Sequence, residues 1–198
     1  MKRLFVLARH GETTLNAARV VNGDPAVEVH LTEKGRDEAR LLGEQLRNVP
    51  LDLCVVTRFD RTRETAEIAL EGRSVRLEVE PLLDDVDVGD LEGVSLEEYR
   101  AWKSAHERSD AFPNGESLDA AAVRYGRGLQ SLLARPERVI LVVAHEIPVR
   151  YALNAAEGSP DPDSPHHAVA NATPYLFGED RLAEAAARLA RESPAGGL

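Results

Sequence analysis

Cysteine is nearly absent from this chain: Cys54 is the only one in 198 residues, which excludes an intrachain disulfide. Its apolar neighbours Leu53, Val55 and Val56 make it inert packing inside a strand. Long apolar runs are missing too. The stretch 4–8 that follows Met1-Lys2-Arg3 is too short for a signal segment or a membrane span, so the chain reads as soluble and cytoplasmic. Positive charge is in deficit, with 24 Lys and Arg against 34 Asp and Glu, a net charge of -10 and a pI near 5.1. Nucleic acid and anionic membranes are therefore not expected partners. The same acid excess would repel an anionic substrate, so a phosphate site here must gather its cations locally. Lysine is the scarcer cation, three residues against 21 arginines, a bias that GC-rich codon usage explains as readily as a need for guanidinium forks.

What the sequence has is enough apolar residues, 43%, for one sizeable core, and its length favours one domain over 1–198 with a frayed tail at 194–198. Residues 4–8, 51–56 and 139–144 are continuous apolar runs of strand formers that stop abruptly at Arg9-His10, Thr57-Arg58 and His145. Helical spacing follows Thr32, a good N-cap, and recurs over 65–70, 118–133, 149–156 and 180–191, with 175–177 as a last strand. Segments 22–25, 113–115 and 158–165 read as loops. Strands alternating with helices imply an α/β fold, a three-layer sandwich around a mostly parallel sheet, whose ligand lies beyond the strands' carboxyl ends. The three charged strand ends converge there.

Arg9-His10-Gly11-Glu12, followed by Thr13 and Asn16, resembles the signature of the histidine phosphatase superfamily, which holds phosphoglycerate mutases and many small phosphatases. The resemblance continues through Leu31-Thr32-x-x-Gly35, Thr57-x-x-x-Arg61-x-x-x-Thr65-Ala66, Gly89-Asp90-Leu91-Glu92-Gly93, Gly115-Glu116-Ser117 and Val143-Ala144-His145. It implies a phosphoglycerate mutase-like fold, His10 as the nucleophile, His145 as the second histidine, and Arg9 and Arg61 as phosphate forks. The residue types suit that chemistry. A phosphoryl group in transfer spreads negative charge over three oxygens, so catalysis is mainly in-line positioning and pre-organised positive charge. Asn16 is expected to bond the phosphate through its amide. Asn22 with Gly23 stands where relatives bind phosphate, although Asn22 also suits a plain turn before Pro25.

The chain departs from the family in three places. The proton donor, usually a glutamate ahead of the Gly-x-x-Glu-Gly turn, falls on Asp85, with Asp84 and Asp87 as alternatives. Arg58 replaces a proline and Glu146 a glycine; Glu146 is expected to pair with Arg58, or to select a substrate bearing a positive or hydroxyl group. The resemblance implies a phosphomonoester hydrolase using no cofactor or metal, with a small phosphorylated metabolite as partner. A mutase and a non-catalytic phosphate-binding protein are the other readings, and a homodimer is left open. His30, His106 and the pair His166-His167 read as surface or loop residues. Residues 22–30 and 91–116 are expected to form loops at the pocket mouth, with Tyr99, Trp102 and Phe112 as apolar walls.

Overall fold

The apolar runs assemble side by side into one sheet. The computed structural model describes residues 3–165 and 167–191. Its strands are β1 (Leu4–Arg9), β2 (Leu53–Val56), β3 (Arg76–Val79), β4 (Val139–Ala144) and β5 (Tyr175–Gly178), in the order β3-β2-β4-β1-β5. All neighbours are parallel except β5, which runs antiparallel to β1. The helices are α1 (Thr14–Ala18), α2 (Glu33–Gln45), α3 (Asp60–Ala69), α4 (Leu96–Ala105), α5 (Leu118–Ala134), α6 (Glu146–Ala156) and α7 (Glu179–Leu189).

Both faces of the sheet are covered, which is why its central strands lack polar alternation. Phe5, Leu7, Val55, Ile140 and Val142 pack with Tyr125, Leu129, Tyr151 and Leu182 of α5, α6 and α7. The alternate residues Val6, Ala8, Cys54, Val56, Leu141 and Val143 pack with Leu42, Ala66 and Ala69 of α2 and α3. The three-layer α/β/α expectation therefore holds. Burial pushes the Cys54 thiol up to about 12, in keeping with a packing role. No helix among the described residues is long and apolar enough to cross a membrane.

Several boundaries differ from the sequence reading. Helix α6 starts at Glu146 rather than 149, because Pro148 sits in the first turn, where a missing N–H costs no helical bond. Helix α3 starts at Asp60 rather than 65. The segment 91–116 is not all loop: α4 is opened by a capping box in which Ser95 accepts from the Glu98 backbone and Glu98 bonds back. Strand β3 was not expected, since it is a short edge strand of alternating charge. His166 and the 194–198 tail lie outside the described residues.

Candidate active site

Parallel pairing of Arg9 with Ala144 sets the ends of β1 and β4 level, so His10 and His145 emerge side by side with ring centroids 5.5 Å apart. The His10 backbone is pinned on both sides: its N–H donates to Ala144 O at 3.0 Å, and its carbonyl accepts from Asn171 Nδ2 at 2.8 Å. Behind it, Gly11 N–H donates to Thr65 Oγ1 at 3.0 Å. A Cβ on Gly11 would meet Gly35 O at 2.4 Å, and one on Gly35 would meet Glu12 O at 2.0 Å, so both glycines are required by close approach. Glu12 serves the same junction. Its carboxylate bonds Thr32 and Lys34, and its backbone N–H donates to Glu38.

The His10 ring has a defined tautomer. Nδ1 lies 2.7 Å from Gly11 O, an acceptor only, so Nδ1 carries the proton. Nε2 therefore presents a lone pair, which accepts from Arg61 Nε at 3.1 Å. Burial, followed by the nearby Arg61 and Arg9 charges, holds this imidazole well below its ordinary pKa. It is a neutral ring with one unprotonated nitrogen, as a nucleophilic histidine must be.

Arg61, on α3, is nearly enclosed. Its guanidinium lies 4.1 Å over the Phe59 ring, bonds Asn22 Oδ1 and Asn22 O, and reaches Asp85 Oδ2 at 3.1 Å. Asn22 and Gly23 are placed differently from the sequence expectation. Asn22 Oδ1 is occupied by Arg61, its Nδ2 donates to Asp24 O and Glu92 Oε1, and the Gly23 N–H donates to Glu92 Oε2 at 2.6 Å. Asn22 braces Arg61 at the edge of the cleft, and its amide donors, like the Gly23 N–H, are engaged by Asp24 O and Glu92. Glu92, inside the Gly89–Gly93 motif but given no task by the sequence, is the residue that holds this loop.

Of the three candidate acids, only Asp85 lines the cleft in front of His10. Its Oδ2 is 3.5 Å from His145 Nδ1. Burial raises its pKa above the ordinary carboxylate value, against the opposing pull of Arg61. Asp84 bonds the Arg58 backbone N–H at 2.9 Å and its side chain, while Asp87 accepts from Gly89 N. Arg124 fixes the segment, donating to the carbonyls of Leu82, Asp84 and Asp85. The expected pairing of Glu146 with Arg58 is therefore wrong. Arg58 is held by Asp84 on the far side of Asp85, and Glu146 pairs instead with Arg9 at 2.9 Å and Arg150 at 2.7 Å.

His145 is fully buried between the Phe59 ring and Thr57, whose Oγ1 is 2.9 Å from Nε2, and burial with nearby cations keeps it neutral. As a neutral ring it can offer a hydrogen bond. Asn16 lines the cleft, but its Oδ1 is engaged by the Thr13 N–H in the α1 capping box, which leaves Nδ2 for a ligand.

The cleft has a volume of about 590 Å³. One wall is a face of α4, where Leu96, Tyr99, Arg100 and Lys103 recur at helical spacing. Arg9, Arg61 and Arg150 bring further cations, the local concentration that an acidic chain requires. Trp102 and Phe112 are not cleft walls: they pack against each other at a tilt with centroids 4.3 Å apart, and Phe112 stacks behind Tyr99. Of the two residues that fix the nucleophile's backbone, Thr65 stood in a recognised motif with no task assigned to it, and Asn171 carried no signal in the sequence. Among the described residues no group of three or more His, Cys, Asp or Glu side chains is arranged to hold a metal ion.

The sequence profile described as "Histidine phosphatase superfamily (branch 1)" matches residues 5–191. The chain is 34% identical over 150 residues to the adenosylcobalamin/alpha-ribazole phosphatase of Salmonella typhimurium, covering 71% of this chain and 72% of that one. It is 31% identical over 202 residues to the 2,3-bisphosphoglycerate-dependent phosphoglycerate mutase of Bartonella henselae, covering 91% and 95%. The solved alpha-ribazole phosphatase of Shigella flexneri superposes with a TM-score of 0.77 at 26% identity, over 87% of this chain and 89% of that one.

Proposed function

The chain belongs to the histidine phosphatase superfamily (branch 1), and from that premise we propose that it hydrolyses phosphomonoesters of a small metabolite in the cytoplasm through a phosphohistidine at His10. The observation that carries the reading is the His10 tautomer, with Nδ1 tied to Gly11 O and the Nε2 lone pair against the Arg61 guanidinium. Nε2 attacks phosphorus while the bond to the leaving oxygen breaks, and Asp85 gives that oxygen its proton. Water then attacks the phosphohistidine, the Asp85 carboxylate takes the water's proton, and inorganic phosphate leaves with His10 restored. Arg9 and Arg61 balance the charge on the transferring group, and His145 and Asn16 offer it hydrogen bonds. Two guanidinium groups make a metal ion unnecessary to this scheme.

A mutase uses the same phosphohistidine, and similarity to the Bartonella henselae mutase along nearly its whole length favours keeping that second reading. Assay of 3-phosphoglycerate and a phosphometabolite panel, with a chelator present, distinguishes them. Stoichiometric phosphate release is expected; isomer formation without release selects the mutase, and inhibition by the chelator counts against a metal-free mechanism.

The acid makes its own prediction. Asp85→Asn should lower kcat/KM by about 10²- to 10⁴-fold for an alkyl phosphate, and far less for p-nitrophenyl phosphate, whose leaving group needs no proton. In the native protein, activity should fall as pH rises through the elevated Asp85 pKa, because the acid form is lost. It should fall at low pH only well below the ordinary imidazole value, where His10 takes a proton. An unchanged alkaline limb in Asp85→Asn would remove Asp85 from this role.

A further inference from the structure

Glu146 stands beside the second histidine and forms the first turn of α6, with its carboxylate in the same cleft as His10. Its two oxygens face two arginines. Oε1 accepts a hydrogen bond from Arg150 Nη1 at 2.7 Å, while Oε2 lies 2.9 Å from Arg9 Nη1, whose own hydrogen bond goes to Val169 O. Arg150 is fixed from behind: its Nη2 donates to Asp163, which also binds Lys103 of α4. Glu146 is thus anchored on a braced arginine and leans on Arg9 by charge alone. Arg9 Nε is buried without a hydrogen-bond partner in the protein. A phosphoryl group bonding Arg9 can therefore displace the Glu146 contact without breaking the Glu146 anchor.

We propose that Glu146 is a specificity-determining residue of the phosphoryl site: a tethered carboxylate that competes with phosphate oxyanions for Arg9. The inference rests on the hydrolase reading and extends it. A dianion on Arg9 must lie close to the Glu146 carboxylate, and like charges at that range repel. The repulsion weakens the hold on inorganic phosphate, the product of the second step, and disfavours substrates with a second negative charge on the α6 side of the phosphoryl group. Half exposure of Glu146, 40% against 15% for Arg150, lets the carboxylate give way when a substrate phosphoryl group enters.

The test compares the native protein with Glu146→Gln, which keeps the side-chain shape, and with Glu146→Gly. Inorganic phosphate is titrated both as a competitive inhibitor of p-nitrophenyl phosphate hydrolysis and directly by calorimetry. Removing the carboxylate should tighten phosphate binding by about two- to fivefold, the scale of a partly exposed charge contact. KM should fall more than kcat changes. Equal or weaker phosphate binding in variants that melt like the native protein overturns the proposal. If the native protein turns over no phosphoester, the hydrolase reading fails by itself, and the calorimetric comparison still decides the role of Glu146.

Discussion

His10→Ala should lose phosphatase turnover by about four orders of magnitude or more, and with it all covalent labelling of the protein by a radioactive phosphoester. The expectation follows from the ring's setting. Nε2 is the unprotonated nitrogen of a neutral ring, held against the Arg61 guanidinium by an independent tie at Nδ1. Alanine removes the attacking atom and leaves Arg9, Arg61 and Asp85 in place, so a phosphoester can still bind. Acid quenching of the native enzyme during turnover should trap acid-labile phosphate on His10. Stable turnover in the alanine variant would instead mean direct attack by water. A native protein with no activity to lose would favour a phosphate-binding role.

Arg61→Met should lower kcat/KM by about 10³-fold, the cost of removing pre-organised charge from a transferring phosphoryl group. Arg61 touches the nucleophile, the acid and the Asn22 loop at once. Its loss therefore carries a second signature. Without the guanidinium, burial of Asp85 is opposed only by the Val86 N–H and the more distant Arg9 charge, so the Asp85 pKa rises further and the alkaline limb of the pH profile moves up. Arg61→Lys should recover little, since one ammonium cannot reach His10 Nε2, Asn22 and Asp85 together. A lysine variant with native kcat/KM would show that charge, and not the fork, is what the site uses.

The sequence made the central layer legible because both faces of β1, β2 and β4 are buried, and an apolar run ending at a charge is hard to read otherwise. The residues that close the site were legible for the same reason: Arg9, His10 and His145 follow those runs directly, and Arg61 falls in the first turn of the next helix. The acid was legible only by counting from Gly89, and the choice of Asp85 over its neighbours needed coordinates, since three aspartates within four residues differ only in where they point. Helix α4 was illegible because none of its residues is fully buried, so its apolar stripe is too thin to show a period. The partners of Glu146 were misread because Arg58 is near in motif order, whereas Arg150, four residues along α6, is near in space.

The contact between Gly11 and Gly35 joins two properties usually kept apart. A single methyl group added at the start of α2 would meet the backbone two residues beyond the nucleophile and displace it, with no change to any group that touches a phosphoester. For this protein, then, the seam between a helix and a strand end is also the alignment bench of the reaction. A repacking mutation there would be scored by an assay as a chemical defect, long before a melting curve registered a loose fold.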